Sequence, residues 1–587
     1  MKNKSGLIFR LLILVSIAFT GFTSPSNAQG FLKTSGTRIV DERGENILLR
    51  GVGLGGWMLQ EGYMLRIDQN GQQHKIRERI QKLVGEEKTK AFYEAWLNNH
   101  TTRKDIEAMK AWGFNSVRLP MHYNLYTLPV EQEPVPGKNT WLTKGFAMTD
   151  SLLQWCKDNQ LWLILDLHAA PGGQGNDLNI SDGDTSKPFL WELKANRDKT
   201  VALWKELAKR YVNEPAIAAY DLINEPNWGF DDPKDRNGLQ EKNNIPLKAL
   251  LVDITNAIRE VDTNHIIIIE GNGWGNNYNN MLPPWDKNMV LSFHKYWNYN
   301  NEDDIRHILD TRDKYQVPVW LGETGENSNV WFTEAIRLLE RNNIGWAWWP
   351  LKKIGINNPL EIPSSPEYQQ VVDYWNGKSK LAPGAVTAWK GLQELAAATH
   401  FNKNILHRDV VDAMIRQPHS NATIPFADNI INGHAKIPAV NYDYGINGAA
   451  YYDMDTANYR VSTGKNGAGN RGYAYRNDGV DIERKAGQVF VSNTEKGEWL
   501  QYTLNVEKAG NYSIKLLAGA DKAGAKASLL LNGNTVAKSF PVSIAGKKEE
   551  WVPVHAGNIY LEQGTQQLRL YVEEGGFRLS SINFSRN

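Results

Sequence analysis

Cysteine is almost missing from this chain of 587 residues. The single Cys156 excludes an intramolecular disulfide and leaves no thiol near the N-terminus for a lipid anchor. It lies in SLLQWCKDNQ, a helical pattern in which a lone cysteine serves as a small buried hydrophobe. An excess of one charge is also missing. Lys+Arg number 66 against 65 Asp+Glu, a net +1, so nothing indicates a polyanion such as nucleic acid as partner, and an uncharged substrate is expected. Beyond residue 28 no apolar run approaches the ~20 residues that cross a bilayer. No Gly-rich phosphate turn follows the first strand, and no HExxH-type spacing pairs metal ligands.

What is present begins with a segment of export type. Lys2, Lys4 and Arg10 precede the apolar run LLILVSIAFTGF and the small residues Ser26-Asn27-Ala28, so residues 1–28 read as a cleaved signal peptide. Cleavage removes three bases and no acids and leaves −2, so the charge argument stands. A secreted or periplasmic protein is expected, with no stable membrane span after cleavage. The composition, 41% hydrophobic and 22% charged with 21 Trp, is globular with an aromatic excess and excludes disorder, collagen and coiled coil.

Two regions differ in period. Over residues 29–417, eight short apolar runs alternate with amphipathic helical stretches such as VALWKELAKRY and LKALLVDITNAIREV. The runs are LLRGVGLGGW, FNSVRLP, WLILDLHAA, AIAAYDLINEP, HIIIIEGNGW, MVLSFHKYW, PVWLGETG and IGWAWWPLK. Nearly continuous apolar strands separated by helices are parallel strands covered on both faces, and eight such units predict an α/β fold, the (β/α)8 TIM barrel. Residues 418–432 read as a linker. From 433 to 587 the period is two: EWLQYTLNV puts Leu500, Tyr502, Leu504 and Val506 on one face, and Asn532-Gly533 is a hairpin signal. This predicts a C-terminal all-β sandwich of jelly-roll type.

Reactive groups of such barrels sit where the strands end. The polar residues there are Arg118, His168, Asn224, Glu225, His294, Tyr296 and Glu323, with Trp349 at the end of the eighth run. Two carboxylates across a barrel mouth suit glycoside hydrolysis, which needs a proton donor for the leaving oxygen and a second group on the other sugar face. At ~5 Å and an effective dielectric of ~20 they repel by ~3 kcal/mol, which holds one proton near neutral pH. Arg118 and Tyr296 are the groups expected to favour ionised Glu323, leaving Glu225 as the acid. Asn-Glu-Pro occurs twice. Glu214 precedes its strand, on the closed side of the barrel, whereas Glu225 follows the apolar run and faces the loops.

With these residues in place the barrel resembles glycoside hydrolase family 5. The family's strand-end pattern falls on Arg118, His168, Asn224-Glu225-Pro226, His294-Lys295-Tyr296, Glu323 and Trp349. The resemblance implies a retaining β-glycosidase with Glu323 as nucleophile and Glu225 as acid and base. It also implies that Asn224 bonds the sugar 2-hydroxyl and that Trp349 floors the site. RGVGLGGWML and LHAAPGGQGNDLNISDGDTSKPFLW are similar to segments of its exo-β-1,3-glucanase branch, so a β-1,3-glucan attacked from its end is the expected substrate. Endo-β-1,4-glucanase and mannanase are the alternatives within the family. A catalytically silent glycan binder and a metal hydrolase using His168 and His294 are the alternatives outside it. The loop from Gly172 to Lys187 is expected to wall one side of the cleft, with Trp228, Trp274 and Trp297 as possible sugar platforms.

The sandwich resembles a family 6 carbohydrate-binding module over NRGYAYRNDGVDIE, GEWLQYTLNVEKAGNYSIKLLAGA and EEGGFRLSSINF. The aromatic clamp of that family is missing: Asn493 or Thr494, Lys548, and Arg578 or Ser580 occupy its positions. The acids that hold calcium in such modules are altered at Asn441. Sugar binding would then use another surface, with Tyr451 and Tyr452 available, or the module stabilises. The expectation is a monomer acting on a polysaccharide or oligosaccharide without a required cofactor, and with no sequence support for structural calcium in the module.

Overall fold

Parallel strands buried on both faces must bring their apolar side chains to two different cores, and the eight apolar runs do so. The computed structural model describes residues 29–455, 471–544 and 550–587; the expected signal peptide and Lys548 lie outside them. The strands are β1 (Arg50–Gly53), β2 (Ser116–His122), β3 (Trp162–Ala169), β4 (Ile217–Asp221), β5 (Ile266–Glu270), β6 (Met289–Lys295), β7 (Val319–Gly325) and β8 (Gly345–Trp349). They follow one another in sequence order around a closed barrel, with β8 pairing β1. Alternation sorts their side chains. Ile164, Ile266, Ile268, Val290, Trp320 and Ala347 fill the barrel's interior. Leu163, Leu165, Ile267, Ile269, Leu291 and Leu321 point outward to the helices.

The helices cover the outer face in the usual way. In Asn329–Arg341 the residues Phe332, Ala335, Ile336 and Leu339 are buried, and the Ser328 hydroxyl caps the first turn by accepting from the Trp331 N–H. Cys156 is fully buried within the helix Thr143–Asp158, as expected. Part of the tryptophan surplus is packing: Trp96, Trp204, Trp320, Trp331, Trp346 and Trp348 are all fully buried.

The C-terminal region is a sandwich of two six-stranded sheets. Leu500, Tyr502, Leu504 and Val506 share its buried face, and Asn532-Gly533 turns the hairpin between Lys526–Leu531 and Asn534–Pro541 with both residues at positive φ (48° and 83°). The stretch read as a linker is in part structural. Asn429–Ile431 adds a strand parallel to Trp499–Val506, and Phe426 stacks on Tyr444 with centroids 4.9 Å apart. Phe426 and the fully buried Ile431 interrupt the polar run there, which is why it packs. Tyr451 is also corrected: it is buried against Tyr442, so only Tyr452 of that pair faces solvent.

Barrel and sandwich are joined by a buried polar latch. Asp409 Oδ2 accepts from Asn329 Nδ2 at 2.7 Å and from the Asn477 backbone N–H at 2.8 Å, while Asn477 Nδ2 donates to the Asn327 carbonyl at 2.8 Å. Asp409 Oδ2, Asn329 Nδ2 and the Asn477 N–H groups are thereby satisfied away from water.

Candidate active site

The inward register that carries Ile164, Ile266 and Val290 continues past the apolar positions into polar ones. On β3 it runs Ile164, Asp166, His168; on β5 Ile266, Ile268, Glu270; on β6 Val290, Ser292, His294. The mouth of the barrel is therefore lined by charge because the strands outlast their apolar core. Arg118 enters from β2 and is fully buried.

Arg118 organises the floor. Its guanidinium donates to Glu323 Oε1, to Asp221 Oδ2 at 2.8 Å, to Glu270 Oε1 at 3.0 Å and to Asn224 Oδ1 at 2.9 Å, with Asp166 at 3.3 Å. Tyr296 OH donates to the other oxygen of Glu323 at 2.9 Å. Glu225 receives His294 Nδ1 at 2.6 Å, and its own backbone N–H donates to Glu270 Oε2 at 2.7 Å. Its φ of 43° is a left-handed conformation that Glu seldom adopts. One oxygen each of Glu225 and Glu323 and a nitrogen of His294 lie within 4.8 Å of one another.

Burial and charge set the protonation. Burial pushes the Glu225 carboxyl up to about 7 against the opposing pull of His294. It pushes His168 down to about 3; a neutral imidazole then donates from Nδ1 to Asp166 at 2.7 Å and accepts from Asn224 Nδ2 at 3.2 Å. Burial also opposes charge on His294, but Glu270, Glu323 and Glu225 outweigh it and hold that imidazole well above its ordinary value. Burial raises Asp166 and Asp221 well above the carboxylate range, against the opposing pull of Arg118.

Above the floor is a cavity of about 590 Å³ lined by Glu225, Glu323, His168, His294, Tyr296 and Trp349. Arg118 and Asn224 do not line it; they act from beneath. Trp349 stacks on His168 at 4.9 Å and 8°, and its Nε1 donates to Tyr63 OH at 2.9 Å. A Cβ at Gly53 or Gly55 would come within 2.7 Å of the Trp349 ring, so GVGLGGW keeps glycine where the indole lies. Trp348 faces the opposite way, against Phe332 at 4.9 Å. Trp274 and Trp297 line the cavity. Trp228 does not; it packs on Phe189 at 5.0 Å. Glu214, the other Asn-Glu-Pro carboxylate, pairs with Lys157 at 2.8 Å, far from these groups.

The loop from Gly172 to Lys187 is fastened to the barrel. Asp182 receives His74 Nδ1 at 2.8 Å and His122 Nε2 at 3.0 Å, and Gln174 Nε2 donates to the carbonyls of His168 and Asn224. Asp177, Asn179 and Ile180 of this loop face the cavity. Sequence reasoning passed over Asp166, Asp221, Glu270 and Glu61. The first three continue the inward register, a signal present in DLH, YD and IIE. Glu61, buried in the cavity wall 3.8 Å from His168, comes from a loop where no periodicity marks it.

Two trios, Asp166-His168-Glu323 and Glu225-His294-Glu323, have donor atoms close enough to share a cation. In the first, the Arg118 guanidinium already sits against both carboxylates. In the second, His294 is held protonated, whereas a metal ligand must be the neutral imidazole.

Residues 70–354 match the cellulase family, glycosyl hydrolase family 5, and residues 473–586 match the carbohydrate binding module of family 6. Similar curated proteins include a beta-xylosidase of Phanerodontia chrysosporium, 27% identical over 397 residues, which span 61% of this chain and 78% of that protein. Endoglucanase C of Acetivibrio thermocellus is 26% identical over 345 residues, 48% of this chain and 93% of its own. A probable glucan 1,3-beta-glucosidase A of Aspergillus clavatus is 28% identical over 183 residues, 31% of this chain and 41% of its own. Among solved structures, an endogalactoceramidase aligns over 95% of this chain and 100% of its own at 16% identity, with a TM-score of 0.43.

Proposed function

The chain carries a catalytic barrel of glycosyl hydrolase family 5 followed by a family 6 carbohydrate binding module, and from that premise we propose that it removes sugar from the ends of β-glucan chains, β-1,3-glucan foremost, with retention of configuration. Glu323 attacks the anomeric carbon while Glu225 gives its proton to the departing oxygen. In the second step Glu225 takes a proton from water, the water oxygen bonds the anomeric carbon, and Glu323 leaves as carboxylate. The observation that carries this reading is the approach of the Glu225 and Glu323 oxygens within 4.8 Å. Retaining enzymes hold their carboxyl groups ~5–5.5 Å apart, whereas inverting ones leave ~6.5–9.5 Å for a water.

Chain-end attack is supported by the loop pinned through Asp182 and by Glu61, which together bound one side of the cavity. A buried carboxyl group there, raised well above its ordinary value by burial and by Glu323 and Glu225, is suited to exchange hydrogen bonds with the hydroxyls of a terminal sugar. Action outside the cell agrees with a glycan-degrading barrel joined to a binding module; no helix among the described residues is long and apolar enough to cross a membrane.

The test is a time course of products from laminarin, carboxymethyl cellulose, mixed-linkage glucan and mannan. Monosaccharide alone from laminarin is expected, and none from Glu323→Gln. Rapid loss of viscosity on a β-1,4 polymer overturns the substrate and the mode of attack, in favour of the endoglucanase reading.

A further inference from the structure

A second cleft, of about 560 Å³, lies where the barrel meets the module and shares no lining residue with the catalytic cavity. Both domains build it. The barrel contributes Arg66, Glu361 and the segment Ile405–Asp409; the module side contributes Phe426, Tyr444, Tyr473, Tyr475 and Arg484. Its walls are set by the Asp409–Asn329–Asn477 latch, so the cleft is formed before any ligand arrives.

Its chemistry has two parts. Phe426 stacks between Tyr444 at 4.9 Å and Tyr475 at 5.7 Å, with the Arg476 guanidinium 5.2 Å from its centre, and this aromatic stack and Tyr473 give the cleft apolar surface against which a sugar ring can pack. Tyr473 and Tyr475 both hold left-handed backbone, φ 46° and 69°, which aromatic residues rarely adopt. The second part is charge. Arg66, Arg408 and Arg484 line the cleft, and among the described residues none of the three has an acidic partner within 4 Å. The acids beside them are already engaged: Glu361 holds His407 Nε2 at 2.9 Å, and Asp409 is taken up by the latch. Three unpaired guanidiniums in one cleft with aromatic side chains fit a ring that bears carboxylate, which guanidinium recognises through paired N–H groups.

We propose that this interdomain cleft is a second saccharide site, selective for an oligosaccharide carrying uronic acid residues. It goes beyond the hydrolytic reading above and does not depend on it. The module is then a binder after all, through a surface it shares with the barrel and not through the aromatic positions its sequence has lost.

The probe is a trimeric oligouronide, titrated calorimetrically into the full chain carrying Glu323→Gln, so that binding is read without turnover. The expected result is binding that weakens at least tenfold in Arg66→Gln/Arg484→Gln, and that weakens in turn when salt rises from about 50 to about 500 mM. Both arginines are exposed, and in the chain with Glu323 intact the same pair of substitutions leaves hydrolysis and the circular dichroism spectrum unchanged. Tyr473→Leu, which removes a ring and no charge, is expected to weaken the same binding. Affinity within twofold of the parent in the arginine variant overturns the proposal. So does equal binding of a neutral trisaccharide, or of sulfate alone. Because the titration involves no bond cleavage, its failure leaves the product profile untouched, and the reverse holds.

Discussion

His294 Nδ1 lies 2.6 Å from Glu225 Oε1, and on its other edge Nε2 stands 3.3 Å from Glu270 Oε1. The expected acid is thus connected through one imidazole to a carboxylate that also holds its backbone N–H. Glu270 itself is kept below its ordinary value because His294, Arg118 and that N–H outweigh its burial. The charge network therefore fixes the position of Glu225, while burial, working against His294, keeps its proton.

The first prediction concerns pH. Burial raises Glu225 to about 7, so the proton it must donate is present below that pH and lost above it. The kcat/KM profile on an unactivated oligosaccharide should fall with an apparent midpoint near pH 7 on the alkaline side. Glu225→Gln should lower this activity about 10²–10⁴-fold and remove that limb. A limb unchanged in position in the variant would assign the titration to another group.

Arg118 is the second. It is fully buried among Asp166, Asp221, Glu270 and Glu323, and a lysine cannot reproduce its several directed N–H groups. Arg118→Lys should reduce turnover at least 100-fold. Arg118→Met, which takes the guanidinium away from these acids, should in addition cost about 3–5 kcal/mol in denaturant unfolding. Unfolding of Arg118→Met at the parent midpoint would show that the acids need no counter-charge.

Lys295 carries the third. Its Nζ donates to Asn298 Oδ1 at 2.7 Å and Asn300 Oδ1 at 2.8 Å and lies 4.6 Å from the centre of the Trp331 ring, pinning the loop that presents Trp297 to the cavity. As a positioning residue it should act on longer substrates. Lys295→Met is expected to raise KM severalfold for a pentasaccharide while kcat stays within twofold, with little change for an aryl monoglycoside. Trp297→Ala should give the same split; equal effects on both substrates would point to a general loss of structure.

The loop clamp supplies the fourth. Asp182 is lowered to about 2, since hydrogen bonds from His122 and His74 overcome its burial, and His74 is raised by Asp182. A depressed acid stabilises above its unfolded pKa of ~3.9 and loses that contribution as pH falls toward 2; a raised imidazole stabilises below its unfolded value of ~6.5 and loses it as pH climbs through the folded one. The Tm difference between the parent and Asp182→Asn should therefore be widest at about pH 4–6 and narrow on both sides. A difference independent of pH would remove the ionic part of the clamp.

Much of this protein is legible along the chain. Nearly continuous apolar runs in WLILDLHAA, HIIIIEGNGW and MVLSFHKYW mark strands covered on both faces, and the residue types at their ends name the chemistry, because chain order alone separates Glu225, after its strand, from Glu214, before it. Period two likewise places Leu500, Tyr502, Leu504 and Val506 in the sandwich core. Asp166, Asp221 and Glu270 stand in the same inward register, Asp166 within its strand and the other two as the last residues of theirs.

The rest depends on distances across the fold. Arg118 and Glu323 are 205 residues apart in sequence and in direct contact; periodicity states which face each occupies, but the curvature of the closed barrel sets how near they come. Trp274 and Trp297 reach the cavity while Trp228 packs away from it, although each follows a strand, because loop conformation and not strand register directs them. The near-neutral Glu225 and the unpaired arginines between the two domains are of the same kind. A proton's affinity and a charge's lack of partner are set by what surrounds a group in space, so the sequence determines which groups exist and on which face they lie, and the tertiary structure decides what each of them meets.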